Sequence, residues 1–224
     1  MLNLRFAAIP ALALLLAAAP VDPVRDAIIK QSAAMSPAQI KFTRTVTLTR
    51  RAPTGTSKTV RVDSWDGQRW ALISIDGKPP TPQQIAEADK AAAGGTVPGY
   101  HNIAKMLAAA TESRRDADGR LVLVIPRLPA GMVRTNGNDI SDNLAGQAFV
   151  ATAKGKPFVQ QLKISAREPF SLNMTTKISA FTQVTDYQLD ANGRPRLVGQ
   201  HFDSTGSMFG ISGGQSSETV FSYR

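Results

Sequence analysis

The chain has 224 residues, 42% hydrophobic and 19% charged, enough apolar material for one sizeable core and too much for a disordered chain. It has no cysteine, which excludes disulfides, thiolate-held zinc, iron–sulfur clusters and thiol catalysis, and its two histidines make a poor metal centre. Its 26 basic and 17 acidic residues give +9, a balance that favours anionic partners.

The N-terminus reads as an export leader. Arg5 is followed by an apolar run from Phe6 to Ala19, broken only by Pro10, and Ala17-Ala18-Ala19 offers the small residues read by signal peptidase. The run is shorter than the roughly 20 residues a membrane-spanning helix needs. Residues 1–19 are therefore expected to be removed, leaving 20–224 as a single domain in the periplasm. Taking Arg5 from the 26 basic residues leaves 25 against 17, a mature charge of +8.

Asp22-Pro23 starts a helix, with a side-chain cap followed by a proline whose missing N–H costs nothing at the first helical position. Val24, Ala27, Ile28 and Met35 recur at helical spacing up to Ser36-Pro37. From Lys41 the period becomes two, with Phe42, Arg44, Val46 and Leu48 on one face and mostly threonines on the other. Arg51 to Ser57 reads as a loop, Val60 and Val62 as a second strand, and Asp66-Gly67 as a hairpin turn into a third, Arg69 to Ile75. Thr81-Pro82-Gln83-Gln84 is a capping box ahead of an alanine-rich helix that stops at Gly94-Gly95. A further helix opens at Pro98-Gly99, with Tyr100, Ile103, Leu107 and Ala110 on one face.

Strands resume at Arg120, and the unbroken apolar run Leu121 to Ile125 suits a strand covered on both faces. Residues 127–143 read as irregular, and Gly146 to Thr152 pairs with Phe158 to Ala166 as a hairpin. Phe170, Leu172, Met174 and Ile178 alternate with polar residues in a strand that continues past Phe181 to Leu189 with a bend or bulge. Asn192-Gly193 turns into Leu197 to Phe202, and a glycine- and serine-rich loop leads to a last strand, Thr219 to Tyr223. The pattern predicts an α+β fold built on one twisted antiparallel sheet, with helices available to cover its apolar face.

Chemistry-bearing motifs are few. Gly210-Ile211-Ser212-Gly213-Gly214 matches a nucleophile elbow, but that motif needs a strand before it, a helix after it, and an acid and a histidine downstream. Only Glu218 follows, and both His101 and His201 precede it. Asp116-Ala117-Asp118-Gly119 and Asp190-Ala191-Asn192-Gly193 lack the later bidentate glutamate of a calcium loop and sit where hairpin turns are expected. Asn138, Asp139 and Asp142 could hold a hard cation only weakly. No metal or cofactor is expected. The basic residues are dispersed and aromatics make up 6%, which argues against nucleic acid and leaves an anionic membrane surface or plain solubility as the role of the charge. Arg44 shares its face with Phe42, Val46 and Leu48. Its guanidinium must either snorkel to a rim or lie in a cavity that admits polar groups, because an unpaired buried charge costs several kcal/mol.

The helix from Asp22 to Met35, the strand Phe42-Thr43-Arg44-Thr45-Val46, the strands around Trp65 and Trp70, and the helices between Thr81 and Ala110 together resemble the LolA/LolB-like superfamily of periplasmic lipoprotein carriers. The resemblance covers most of the mature chain and lies in order and pattern. It implies an incomplete β-barrel whose concave apolar face is covered by helices and holds acyl chains. Those carriers place an Arg-Pro pair after the second long strand. WDGQRW stands there in this chain, so their lid mechanism is not transferred and Arg44 is not its equivalent. Arg69 to Thr81, RWALISIDGKPPT, also resembles a stretch of uncharacterised exported bacterial proteins.

The expected function is to hold a lipid or lipidated partner in an apolar groove, without catalysis. The ligand-binding candidates are Phe42, Arg44, Val46, Leu48, Trp70, Leu72, Leu162, Ile164, Leu172 and Met174, which could equally form a filled core. The alternatives are a serine hydrolase using Ser212 and His201, and a structural envelope protein with that filled core. An outer-membrane barrel is disfavoured by the helical insertion and the scarce aromatics.

Overall fold

A computed structural model describes residues 22–93, 96–135 and 137–223. The expected leader lies outside them. Helix α1 (Pro23–Ala33) opens as its sequence predicts, with the Asp22 carboxylate accepting from the Val24 amide at 2.9 Å. After a short 3-10 turn come β1 (Phe42–Ala52), β2 (Gly55–Trp65) and β3 (Trp70–Ile75). Next are α2 (Pro82–Ala93) and α3 (Ile103–Leu107), then β4 (Glu112–Arg115) and β5 (Leu121–Ile125). A two-stranded hairpin, β6 (Arg134–Thr135) and β7 (Asn138–Asp139), stands apart from the main sheet. The chain finishes with β8 (Leu144–Ala153), β9 (Lys156–Ala166), β10 (Phe170–Ser171), β11 (Thr176–Leu189), β12 (Pro195–Met208) and β13 (Ile211–Tyr223).

The main sheet has eleven strands in the order β3-β2-β1-β13-β12-β11-β9-β8-β5-β4, with β10 beside β11, and its pairs are antiparallel. It is not closed. One edge, β3, packs against α2; the other, β4, reads Glu-Ser-Arg-Arg, a fully exposed charged strand that discourages pairing with another chain. The helical insertion expected between strands lies between these two edge strands in sequence.

The core gathers where α1 and α3 meet the sheet. Ile28, Ile103, Leu107, Ile125, Leu144 and Ile164 are completely buried in one continuous cluster. Each such side chain contributes about 1.5–3 kcal/mol. Two buried hydroxyls tie the elements together there. The Ser32 hydroxyl donates to the Tyr100 carbonyl at 2.7 Å and accepts from the Ala104 amide at 2.9 Å, tying α1 to α3. The Tyr100 hydroxyl accepts from the Val159 amide, so one side chain joins the helical segment to β9. Tyr100, Ile103, Leu107 and Ala110 are all buried as their spacing predicts, although the α-helix itself spans only five residues behind a 3-10 turn. The capping box of α2 is formed in both directions between Thr81 and Gln84.

Three segments differ from the sequence expectation. The loop at Arg51 to Ser57 shrinks to a Pro53-Thr54 turn, because β1 and β2 stay in register from Phe42 opposite Trp65 to Ala52 opposite Gly55. The alternating strand from Phe170 to Ile178 breaks into a tight turn. There the Asn173 carboxamide accepts from the Thr175 and Thr176 amides and from the Thr175 hydroxyl. The glycine- and serine-rich loop is two long paired strands. At Gly206 a Cβ would stand 2.1 Å from the Lys177 carbonyl oxygen, beside the bulge between Ile178 and Ala180, so glycine here serves close backbone approach and not a loop.

Candidate functional site

Strand register assigns the sheet face that the site uses. Phe42, Arg44, Val46 and Leu48 lie opposite Tyr223, Phe221, Thr219 and Ser217 of β13, and opposite Trp65, Asp63, Arg61 and Thr59 of β2. The ten candidate residues do not share one environment. Phe42, Leu162 and Ile164 are buried in the packed core at the helical end. Arg44, Trp70 and Leu72 line a small cavity against α2. Leu172 lines a larger groove at the opposite end of the long strands, while Met174, lifted onto the Asn173 turn, is fully exposed. Val46 and Leu48 are half-buried on β1 between these regions.

The groove, about 520 Å³, lies among the far ends of β1 and β11–β13, the turn after β10, and the β6–β7 hairpin. Its apolar lining includes Ile140, Leu172, Ile178, Phe181, Phe202 and Met208, and Arg50, Arg51 and Lys177 stand at its margins. Arg51 is tethered to Asp203 at 2.8 Å and to the Ser216 hydroxyl. Beside the groove, Met174, Met208, Phe209 and Ile211 are exposed together, for the Phe209 amide donates to the Thr175 carbonyl and draws the two turns into one lip.

Phe209 is anomalous by two criteria. It occupies a left-handed conformation, φ 51°, followed by Gly210 at 78°, the pattern of a type I′ hairpin turn. The equivalent turns hold Asp76-Gly77 and Lys154-Gly155, polar residues at the first position. A bulky apolar side chain is disfavoured there, and at 75% exposure it gains little from burial. The sequence reads here as a glycine- and serine-rich loop, so it does not disclose the exposed lip. Its signal was Met208-Phe209-Gly210-Ile211, two bulky apolar residues and an isoleucine around a glycine.

The other motifs resolve as structure. Ser212 lies within β13, opposite Ser207, with no helix after it. His201 is six residues from Ser207 along β12, about 20 Å at strand rise, and is bonded to Glu218 instead. Ser212 and His201 are therefore not placed to act together as nucleophile and base. Asp116 and Asp190 spend their oxygens on the turn amides of Asp118 and Arg120, and of Asn192 and Arg194. Arg120 and Arg196 take the remaining oxygens. Asp139 accepts from Ser141 and Gly131, and Asp142 pairs with Arg127. No group of three or more histidine, aspartate or glutamate side chains is placed to hold a metal ion among the described residues. His101 is half-buried, and burial pushes its imidazole pKa below the usual value despite a backbone bond to Val97.

No helix among the described residues is long and apolar enough to cross a membrane. No family model matches the chain, and no curated protein matches it.

Proposed function

We propose that the protein is an exported, non-catalytic carrier that holds the acyl chain of a lipid or lipidated partner in the groove at the open end of the sheet. The observation that carries this reading is an apolar groove opening beside an exposed apolar lip. Its volume of about 520 Å³ falls within the range of about 300–1,000 Å³ for ligand clefts. A dozen buried methylenes offer about 10 kcal/mol gross, and lost ligand motion lowers this to an exchangeable affinity. On this reading the open sheet is an incomplete barrel, α1 and α3 close its concave face at one end, and the uncovered end takes the ligand. The lip of Met174, Met208, Phe209 and Ile211 would contact the lipid surface, with Arg50 and Lys177 facing anionic headgroups.

The test is native mass spectrometry of protein released without detergent, before and after incubation with phospholipid vesicles. The expected result is a bound lipid-sized mass in the native chain and its loss in Leu172→Glu, which puts a carboxylate in the groove on a turn-side residue. A chain that carries no lipid and takes none up overturns the reading.

A further inference from the structure

At the other end of β1, about 20 Å from the groove margin at Arg50, a second cavity holds an unusual arrangement of charge. Asp63 is 1% exposed, and its two carboxylate oxygens are divided between two arginines. Arg44 donates through Nε to Oδ2 at 3.0 Å, and Arg61 donates through Nε to Oδ1 at 2.7 Å. An arginine meeting a carboxylate commonly presents two parallel N–H groups. Here each guanidinium gives Asp63 only its Nε, and the Nη nitrogens of both have no protein hydrogen-bond partner among the described residues.

The Arg44 guanidinium is further fixed by Trp70, whose ring centroid lies 4.1 Å from Cζ. Its face is covered by the indole and its Nε edge is held by Asp63, so the Nη edge remains. Burial pushes the Arg44 pKa down, and Asp63 opposes that shift, as expected for a cation held in a partly dry place. The cavity lined by both arginines has a volume of about 160 Å³, room for about five waters. Its α2 wall is built of small residues, Ala88, Ala91 and Ala92, which leave that space open. The further carboxylate in the wall is Asp89, an exposed residue of α2 that forms no ion pair among the described residues. Two guanidiniums on one buried carboxylate leave one uncompensated positive charge and a set of preoriented donors.

We propose that this cavity is a binding site for a small oxyanion, a carboxylate or phosphate group held between the free Nη groups of Arg44 and Arg61. Asp63 and Trp70 are its positioning residues. The site is independent of the groove: it needs no acyl chain, and the groove needs no anion. Free phosphate and the phosphate of a lipid headgroup share the chemistry.

The full chain, moved into phosphate-free chloride buffer, is titrated at constant ionic strength with inorganic phosphate, with acetate, and with phosphatidic acid in phosphatidylcholine vesicles. Fluorescence is read from Trp65 and Trp70, the only two tryptophans, with calorimetry beside it. A saturable change with either soluble anion supports the site and a soluble source. A change confined to phosphatidic acid vesicles supports it with a headgroup source. Arg61→Gln, at a half-exposed position, is expected to weaken binding about tenfold or more, as for loss of a charge-assisted hydrogen bond. Asp89→Asn is expected to tighten binding a few-fold by removing the opposing charge, which a purely structural arginine pair would not show. No saturable response to any of the three probes, or Arg61→Gln binding like the native chain, overturns the proposal. Leu172→Glu separates the two readings, since it should abolish lipid retention and leave phosphate binding unchanged.

Discussion

The two ends of the sheet are built from the same strands and follow opposite rules. At the helical end Ile28, Ile103, Leu107 and Ile164 are completely buried, and the Ser32 and Tyr100 hydroxyls have found partners. At the open end the core thins to the buried Ile140 and Phe181 in the groove wall, and the strands finish in exposed methionines, an isoleucine, and a phenylalanine in a backbone conformation that suits asparagine or glycine. Folding accounts for the first end. It does not account for the second, and residues that neither packing nor turn geometry requires are the natural place to look for contact with something else.

The comparison can be broken most sharply with core truncations. Leu107→Ala should cost about 2–5 kcal/mol in chemical denaturation, whereas Leu172→Ala at the groove should cost less than about 1 kcal/mol. Equal losses would mean that the groove is core. Ser32→Ala leaves the Ala104 amide without its partner beside a buried carbonyl and should cost about 1–3 kcal/mol by the same measurement. Phe209→Asn is the most diagnostic change despite its smaller size. Relief of the left-handed strain should raise stability by about 1 kcal/mol while cosedimentation with anionic vesicles falls. A variant that is more stable and still binds vesicles like the native chain would separate the lip from membrane contact.

The smallest effect concerns acid. The Asp66 carboxyl is held below its usual 3.8 by amide bonds from Arg69 and Gln68, and that of Asp139 by the Ser141 hydroxyl and amide. At Asp116 and Asp190 burial raises the pKa, but bonds from Arg120, and from Arg194 and Arg196, outweigh it. Because the folded state binds protons less readily than the unfolded one, the contribution of these turns is complete above about pH 4 and lost as pH falls through the folded values. Thermal midpoints should therefore drop below pH 4, and Asp190→Asn should flatten part of that drop. Midpoints that do not change on acidification would contradict the turn assignments.

Much of the helical end was legible in the sequence. Asp22-Pro23 and the Thr81 capping box are local signals whose chemistry needs no tertiary context, and the spacing of Tyr100, Ile103, Leu107 and Ala110 marks one buried face. The open end was not legible for physical reasons. Glycine and serine in the segment from Ser204 to Ser217 read locally as a loop, yet Gly206 is required by the approach of the Lys177 backbone across the sheet. Met174 alternates correctly for an apolar strand face, but Asn173 turns the chain before the strand can form. The division of Asp63 between Arg44 and Arg61 was likewise hidden, because it depends on the register of β1 against β2 and not on either strand alone.

A fatty acid carrying a photoreactive group at its methyl end, irradiated on the native chain and mapped by peptide mass spectrometry, tests the carrier reading most directly. The account predicts adducts on Leu172, on Ile178 to Phe181, and on Phe202 to Met208 at the open end, with none on Tyr100 to Leu107. Adducts concentrated on the helical segment, or no adducts at saturating fatty acid, would contradict it.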